Sequence, residues 1–177
     1  MPETDNLYII DSSSLIEIKR RYPKDTLPGI WADLHALFQR NQLIAPMEVM
    51  REIFQRDDEL TEWAKAHEKM FREIDGAILE KAKSVVAKFP QMADYDSAKS
   101  AHADPFIIGL ALLLTDPGQS RLSRREVFIV SDEKSDLIKN PKLPFSQIKK
   151  IPDVCDYFKL NCINHLEMFK IEKFRFH

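Results

Sequence analysis

Glycine is scarce in this chain, 4 residues in 177, and no low-complexity stretch, internal repeat or linker breaks it. Residues 1–177 therefore read as one domain, long enough to bury a real core. Cysteine is scarcer still. Cys155 and Cys162 stand seven apart with no C-x-x-C spacing, a pattern of free buried thiols rather than of a disulfide framework or a zinc pair. Long apolar runs are missing: the longest, Phe106 to Leu114, falls far short of a membrane span. The first residues carry Glu3 and Asp5 where a secretory signal would be basic, and a cytoplasmic protein is expected. A surplus of positive charge is missing too. The net charge is −2, so no global basic field marks the chain for nucleic acid. Local basic clusters do occur at Lys19-Arg20-Arg21, at Arg121 with Arg124-Arg125, and at Lys149-Lys150.

What is present is an alternation of short apolar runs with helical patterns. The run Leu7-Tyr8-Ile9-Ile10 predicts a buried strand that stops on Asp11. A helix is expected from about Ser13 through Arg21, ending before Pro23. A second starts near Pro28, with Ile30, Trp31, Leu34, Leu37 and Phe38 at helical spacing. Leu43-Ile44-Ala45 reads as a short strand, and Pro46 as the first position of the following helix. From Asp58 to about Phe89 the pattern is helical and polar. Asp104 is expected to cap a helix that has Pro105 at its first position and ends near Thr115. Val127 to Val130 is a strand, Ile148 to Ile151 a short one, Asp153 to Lys159 a helix, and Cys162-Ile163 a last strand before a terminal helix. Strands separated by helices favour a largely parallel sheet covered by helices, an α/β fold in three α/β/α layers. In such sheets sites form beyond the carboxyl ends of the strands.

Acids collect at those ends. Asp11 follows the first strand, with Ser12-Ser13-Ser14 behind it. It is either the cap of the next helix or a carboxylate aimed into a cleft, with Ser13 placed to hydrogen-bond it. Asp104 stands at the start of an apolar helix, where capping and ligand holding are compatible. Asp132 and Glu133 follow Ser131 at the end of a β-branched strand. One is expected to face the cleft and the other solvent, because neighbours on an extended chain point apart; Asp136 is a further possibility. Glu48 and Glu52, spaced i, i+4, share a helix face that solvation also explains. His102, two residues from Asp104, is the one histidine placed to matter, and the five histidines form no metal-ligand spacing. Several carboxylates in one cleft repel and raise one another's pKa unless cations neutralise them. An all-oxygen donor set suits Mg²⁺ or Mn²⁺ rather than zinc, and such ions activate water and stabilise the leaving oxygen of a phosphodiester.

Four segments carry a resemblance. Ile10-Asp11-Ser12-Ser13, Arg51-Glu52-Ile53, Ala103-Asp104-Pro105-Phe106-Ile107-Ile108 and Val130-Ser131-Asp132-Glu133 resemble, in order and spacing, the motifs of the PIN-domain family of metal-dependent ribonucleases. The resemblance covers about residues 7 to 165 and selects Glu52 over Glu48. Asp57-Asp58-Glu59-Leu60-Thr61-Glu62-Trp63 and Lys150-Ile151-Pro152-Asp153-Val154-Cys155 are similar to a prokaryotic PIN-like branch related to the toxins of VapC-type toxin–antitoxin pairs. It implies a three-layer α/β/α fold, Mg²⁺ or Mn²⁺ held by Asp11, Glu52, Asp104 and Asp132 or Glu133, an RNA substrate, a partner antitoxin and frequent homodimers. Ser13 and Ser131 would orient the ligands, and Lys134 would contact phosphate. The chain departs from the Thr/Ser-x-Asp pattern at one point: Glu133 stands two after Ser131, and Asp132 directly beside it.

Three functions compete at this level. The first is an endoribonuclease. The second is a catalytically weak or inactive PIN-like module that binds RNA or protein. The third is a phosphoryl-transfer protein, disfavoured because Ser13 stands where an aspartate-nucleophile phosphatase has its second Asp.

Overall fold

Apolar β-branched and aromatic residues build short strands here, and each strand hands the chain to a helix. The computed structural model describes residues 5–56, 58–93, 102–118 and 125–176. Five strands form one sheet: β1 (Asn6–Ile10), β2 (Leu43–Pro46), β3 (Phe71–Arg72), β4 (Glu126–Val130) and β5 (Asn161–Ile163), in the order β3-β2-β1-β4-β5. Every pairing is parallel. Nine α-helices among the described residues flank the sheet: α1 (Ser12–Arg21), α2 (Pro28–Gln39), α3 (Met47–Arg56), α4 (Asp58–Ala66), α5 (Gly76–Lys88), α6 (Asp104–Thr115), α7 (Asp136–Lys139), α8 (Ile151–Phe158) and α9 (His165–Ile171). This is the three-layer α/β/α architecture. No helix among the described residues is long and apolar enough to cross a membrane.

The central strand β1 is buried along its whole length, as a strand covered on both faces must be. Behind the sheet, α6 buries Ile107, Ile108, Leu110 and Ala111. Gly109 lets α6 approach α5 closely: a Cβ there would stand 2.9 Å from the Ala82 backbone nitrogen and 3.2 Å from the Ile78 carbonyl oxygen. Cys155 is buried and Cys162 half-buried, and both are free thiols.

The sheet order reverses at β1. The chain moves from β1 outward to β2 and β3, then returns to place β4 on the other side of β1. The carboxyl ends of β1 and β4 therefore lie at the switch point, the place where open α/β sheets bind ligands.

Several local expectations are corrected. The helical pattern from Asp58 to Phe89 is broken by a 3-10 turn at Glu68–Met70 and by β3, which is too short to leave a periodic signal. Pro46 ends β2 and pairs with Arg72; at the end of a strand its missing N–H costs little. Ile148 to Ile151 is not a strand. A 3-10 turn at Phe145–Gln147 precedes it, Ile151 opens α8, and β5 takes the edge beside β4. Ala103, not Asp104, is the N-cap of α6 and makes no side-chain cap. Asp104 is the first helical residue, which leaves its carboxylate uncommitted to capping.

Candidate functional site

The β1–β4 register builds the centre of the site. Ile10 pairs with Val130, and paired residues of parallel strands point to the same face, so Asp11 and Ser131, one step on, meet. The Ser131 hydroxyl donates to Asp11 Oδ2 at 2.7 Å, and the Ser13 hydroxyl donates to the same oxygen at 2.7 Å. The Ser14 N–H donates to Oδ1 at 2.7 Å, so Asp11 caps α1 with one oxygen while the other takes the two serine hydroxyls. Asp11 is 3% exposed. Burial pushes its carboxyl up to about 6, against the pull of the Ser131, Ser14 and Ser13 hydrogen bonds.

Glu52 arrives from α3, whose start follows β2. It is buried, accepts the Ser12 hydroxyl on Oε2 and accepts the Ala103 N–H on Oε1 at 3.0 Å. It thus ties the first turn of α1 to the N-cap of α6. Glu48, the alternative, pairs instead with exposed Arg51. Glu48 and Glu52 do not share an exposed face: Glu52 is buried and Glu48 half-buried.

Asp104 is pushed well above the ordinary carboxylate range. Loss of solvation is the largest cause. The charges of Glu133, Glu52 and Asp11 add to it in that order, and Lys150 opposes them. Asp11, Glu52 and Glu133 thus all lie within charge range of Asp104, as does Lys150.

The segment after β4 decides between two adjacent acids. Ser131 and Glu133 point one way, Asp132 the other, in accord with extended backbone. Glu133 Oε2 accepts the Ile151 N–H at 2.9 Å, and Lys150 Nζ lies 3.3 Å from Oε1. Glu133 therefore caps α8 from outside the helix, where an anion is favoured, and presents its charge to Asp104. Asp132 does not face solvent as expected. Its Oδ1 pairs with buried His165 Nδ1 at 2.7 Å, and its Oδ2 is buried without a hydrogen-bond partner. Asp132 is thus committed to His165. Asp136 opens α7 with its N–H bonded to buried Asp153 at 2.9 Å. His102 is half-buried, and Lys134 is exposed beside Glu133.

Among the described residues, no three His, Cys, Asp or Glu side chains close around a common ion position. The donor chemistry of the acidic group is nonetheless that of a hard cation. Mg²⁺ is commonly held by one or two carboxylates, with water and substrate phosphate completing its shell. An all-oxygen group whose charges press on Asp104 suits such an ion better than zinc.

A family model described as "Domain of unknown function (DUF4411)" matches residues 8–176, nearly the whole chain. The chain belongs to the DUF4411 family. No curated protein and no solved structure matches it. In this DUF4411 chain four participants escape sequence reasoning: Ser12, the Ala103 N–H, Lys150 and the Ile151 N–H. Ser12 lay within a visible serine run. Lys150 stood in a visible basic pair. The two backbone groups carry no sequence signal at all.

Proposed function

We propose that this DUF4411 chain is a Mg²⁺- or Mn²⁺-dependent endoribonuclease, PIN-like in its chemistry. The observation that carries the reading is that Asp11, Glu52 and Glu133, each from a different segment near the β1–β4 switch point, all press their charge on Asp104. Asp11 and Asp104 would hold the ion, because their carboxyls gain most from a neighbouring cation. When bound, the ion supplies Lewis acidity toward water and the phosphodiester. Ser13 and Ser131 fix the direction of Asp11. Glu52 holds the starts of α1 and α6 in register, so that Asp11 and Asp104 stay opposed. Glu133, rather than Asp132, is the fourth acid, and Lys150 and Lys134 supply positive charge for a substrate phosphate. The resemblance supports a toxin role with a partner antitoxin, a homodimer and a cytoplasmic setting.

The test uses end-labelled single-stranded and hairpin RNAs with Mn²⁺ or with EDTA, beside Asp104→Asn. Cleavage that needs Mn²⁺ and disappears in a folded Asp104→Asn protein is the expected result. Equal cleavage by the variant, or cleavage in EDTA, overturns the assignment.

One observation favours a second reading, a PIN-like module that binds RNA or protein without cleaving it. Both oxygens of Glu133 are engaged, by Lys150 and by the Ile151 N–H, as they would be in a purely structural cap. Calorimetry separates the two: no Mn²⁺ binding at millimolar metal selects the module.

A further inference from the structure

The basic clusters of this chain differ once it is folded. Lys19 pairs with Glu59 at 2.8 Å, Arg20 with Glu17 at 2.7 Å, and Arg21 with Glu17. Arg125 pairs with Asp5 at 2.8 Å, and Arg121 and Arg124 lie outside the described residues. Lys149-Lys150 close a different kind of segment. Between Asp136 and Asp153 the chain carries Lys139, Lys142, Lys149 and Lys150 and not one acid. Lys139, Lys142 and Lys149 are exposed and form no ion pair among the described residues.

The ends of this segment are clamped beside the acidic site. At one end, buried Asp153 accepts the Ser135 hydroxyl and the Asp136 N–H. At the other, Glu133 accepts the Ile151 N–H and pairs with Lys150. Phe145 in the middle of the segment forms an aromatic platform with Tyr157 of α8. Phe145 is 47% exposed and Tyr157 45% exposed. Their ring centroids lie 5.5 Å apart, and Phe145 packs on Phe89 at 4.8 Å. The Lys88 ammonium sits 5.8 Å from the Tyr157 ring. Half-exposed rings held from behind, one of them against the Lys88 ammonium, together with exposed lysines on the Phe145 segment, fit a ligand with both phosphates and free π-faces. A single strand offers both. A duplex hides its base faces within the stack, and an acidic peptide would use the lysines alone.

We propose that the segment from Lys139 to Lys150, with Phe145 and Tyr157, is a binding surface for single-stranded nucleic acid; its role in delivering that strand to the acidic site rests on the nuclease reading above. Lys139, Lys142 and Lys149 contact phosphates, and a base stacks on Phe145.

The experiment is fluorescence anisotropy of the full chain, in EDTA, with labelled oligouridylate, the matching oligo-dT and an RNA duplex of the same length. The variants are the triple Lys139→Gln/Lys142→Gln/Lys149→Gln, Phe145→Ala and Phe145→Tyr, each checked by circular dichroism. Single strands should bind more tightly than the duplex. The triple variant should lose at least about tenfold in affinity, and its salt slope should fall by about 2, three contacts at roughly 0.7 each. Phe145→Ala should lose about tenfold with the slope unchanged, and Phe145→Tyr should retain binding. If Phe145→Ala does not fold, the exposed lysine triple decides alone. An unchanged slope in the triple, equal binding of duplex, or equal competition by polyglutamate overturns the proposal. Lysine-dependent binding without Mn²⁺-dependent cleavage leaves this surface standing and sinks the nuclease reading. Cleavage without lysine-dependent binding does the reverse.

Discussion

The Ser131 hydroxyl donates to Asp11 Oδ2 at 2.7 Å across 120 positions of sequence. The bond joins the carboxyl end of β4 to that of β1, and it is the strongest influence holding the Asp11 carboxyl down against burial. Ser131→Ala should therefore raise the Asp11 pKa above about 6 and cost about 1 kcal/mol of stability. A fit of stability against pH for the two proteins, without metal, measures both. An unmoved midpoint would contradict the bond's influence.

Asp11 makes metal-free stability depend on pH with a definite sign. Its carboxyl rises from 3.8 to about 6 on folding, so the folded chain holds the proton more tightly than the unfolded one. That contribution is complete below about pH 4 and is lost as pH climbs through 6. Asp11→Asn carries no such term. In EDTA between pH 4 and 8, the parent should lose roughly 2–3 kcal/mol relative to Asp11→Asn. Urea denaturation at several pH values checks this, and a flat difference between the two proteins would refute it.

Glu52 and Glu48 stand one turn apart on α3 and should behave differently. Glu52→Ala leaves the Ser12 hydroxyl and the Ala103 N–H unpaired in a buried setting, at a cost of about 2–4 kcal/mol. Glu48→Ala removes an ion pair with exposed Arg51 and should change stability by less than about 1 kcal/mol. Thermal melting of the pair separates the two roles.

Gly109→Ala would drive a methyl group to within 2.9 Å of the Ala82 backbone nitrogen. Backbone cannot give way as a side-chain end can, so α5 and α6 must separate. A loss of about 1–3 kcal/mol is expected, despite the better helix propensity of alanine. A melting temperature at or above the parent's would show that the helices move apart freely.

Asp132 and Glu133, adjacent in the chain, should respond differently to substitution. Glu133→Gln removes the largest charge acting on Asp104 and should weaken Mn²⁺ binding in calorimetry. Asp132→Asn disturbs the His165 pair and should cost stability while leaving Mn²⁺ affinity intact. The opposite pattern would return Asp132 to the acidic group.

Local pattern was enough for much of this protein. Apolar runs marked β1, β2, β4 and β5, and an unbroken apolar stretch marked α6, because buried parallel strands and a buried helix leave dense local signals. The alternation of elements determined the parallel three-layer architecture, and that architecture put Asp11 and the residues after Val130 at one edge of the sheet. What the sequence could not carry was direction and partnership. Whether Asp132 or Glu133 enters the site depends on which side the chain faces as it leaves β4, and that is decided by the Ile151 N–H 18 residues later and by His165 33 residues later. Glu52 became a tie between two helices only when folding brought Ser12 and Ala103 to it from 40 and 51 positions away. β3, two residues long, exists because β2 presents an unpaired edge beside it. The basic clusters looked alike as strings, and only tertiary packing showed which of them neighbouring carboxylates neutralise. Periodicity and burial are properties of short segments. Charge compensation and hydrogen-bond partnership belong to the folded surface, where distant segments first meet.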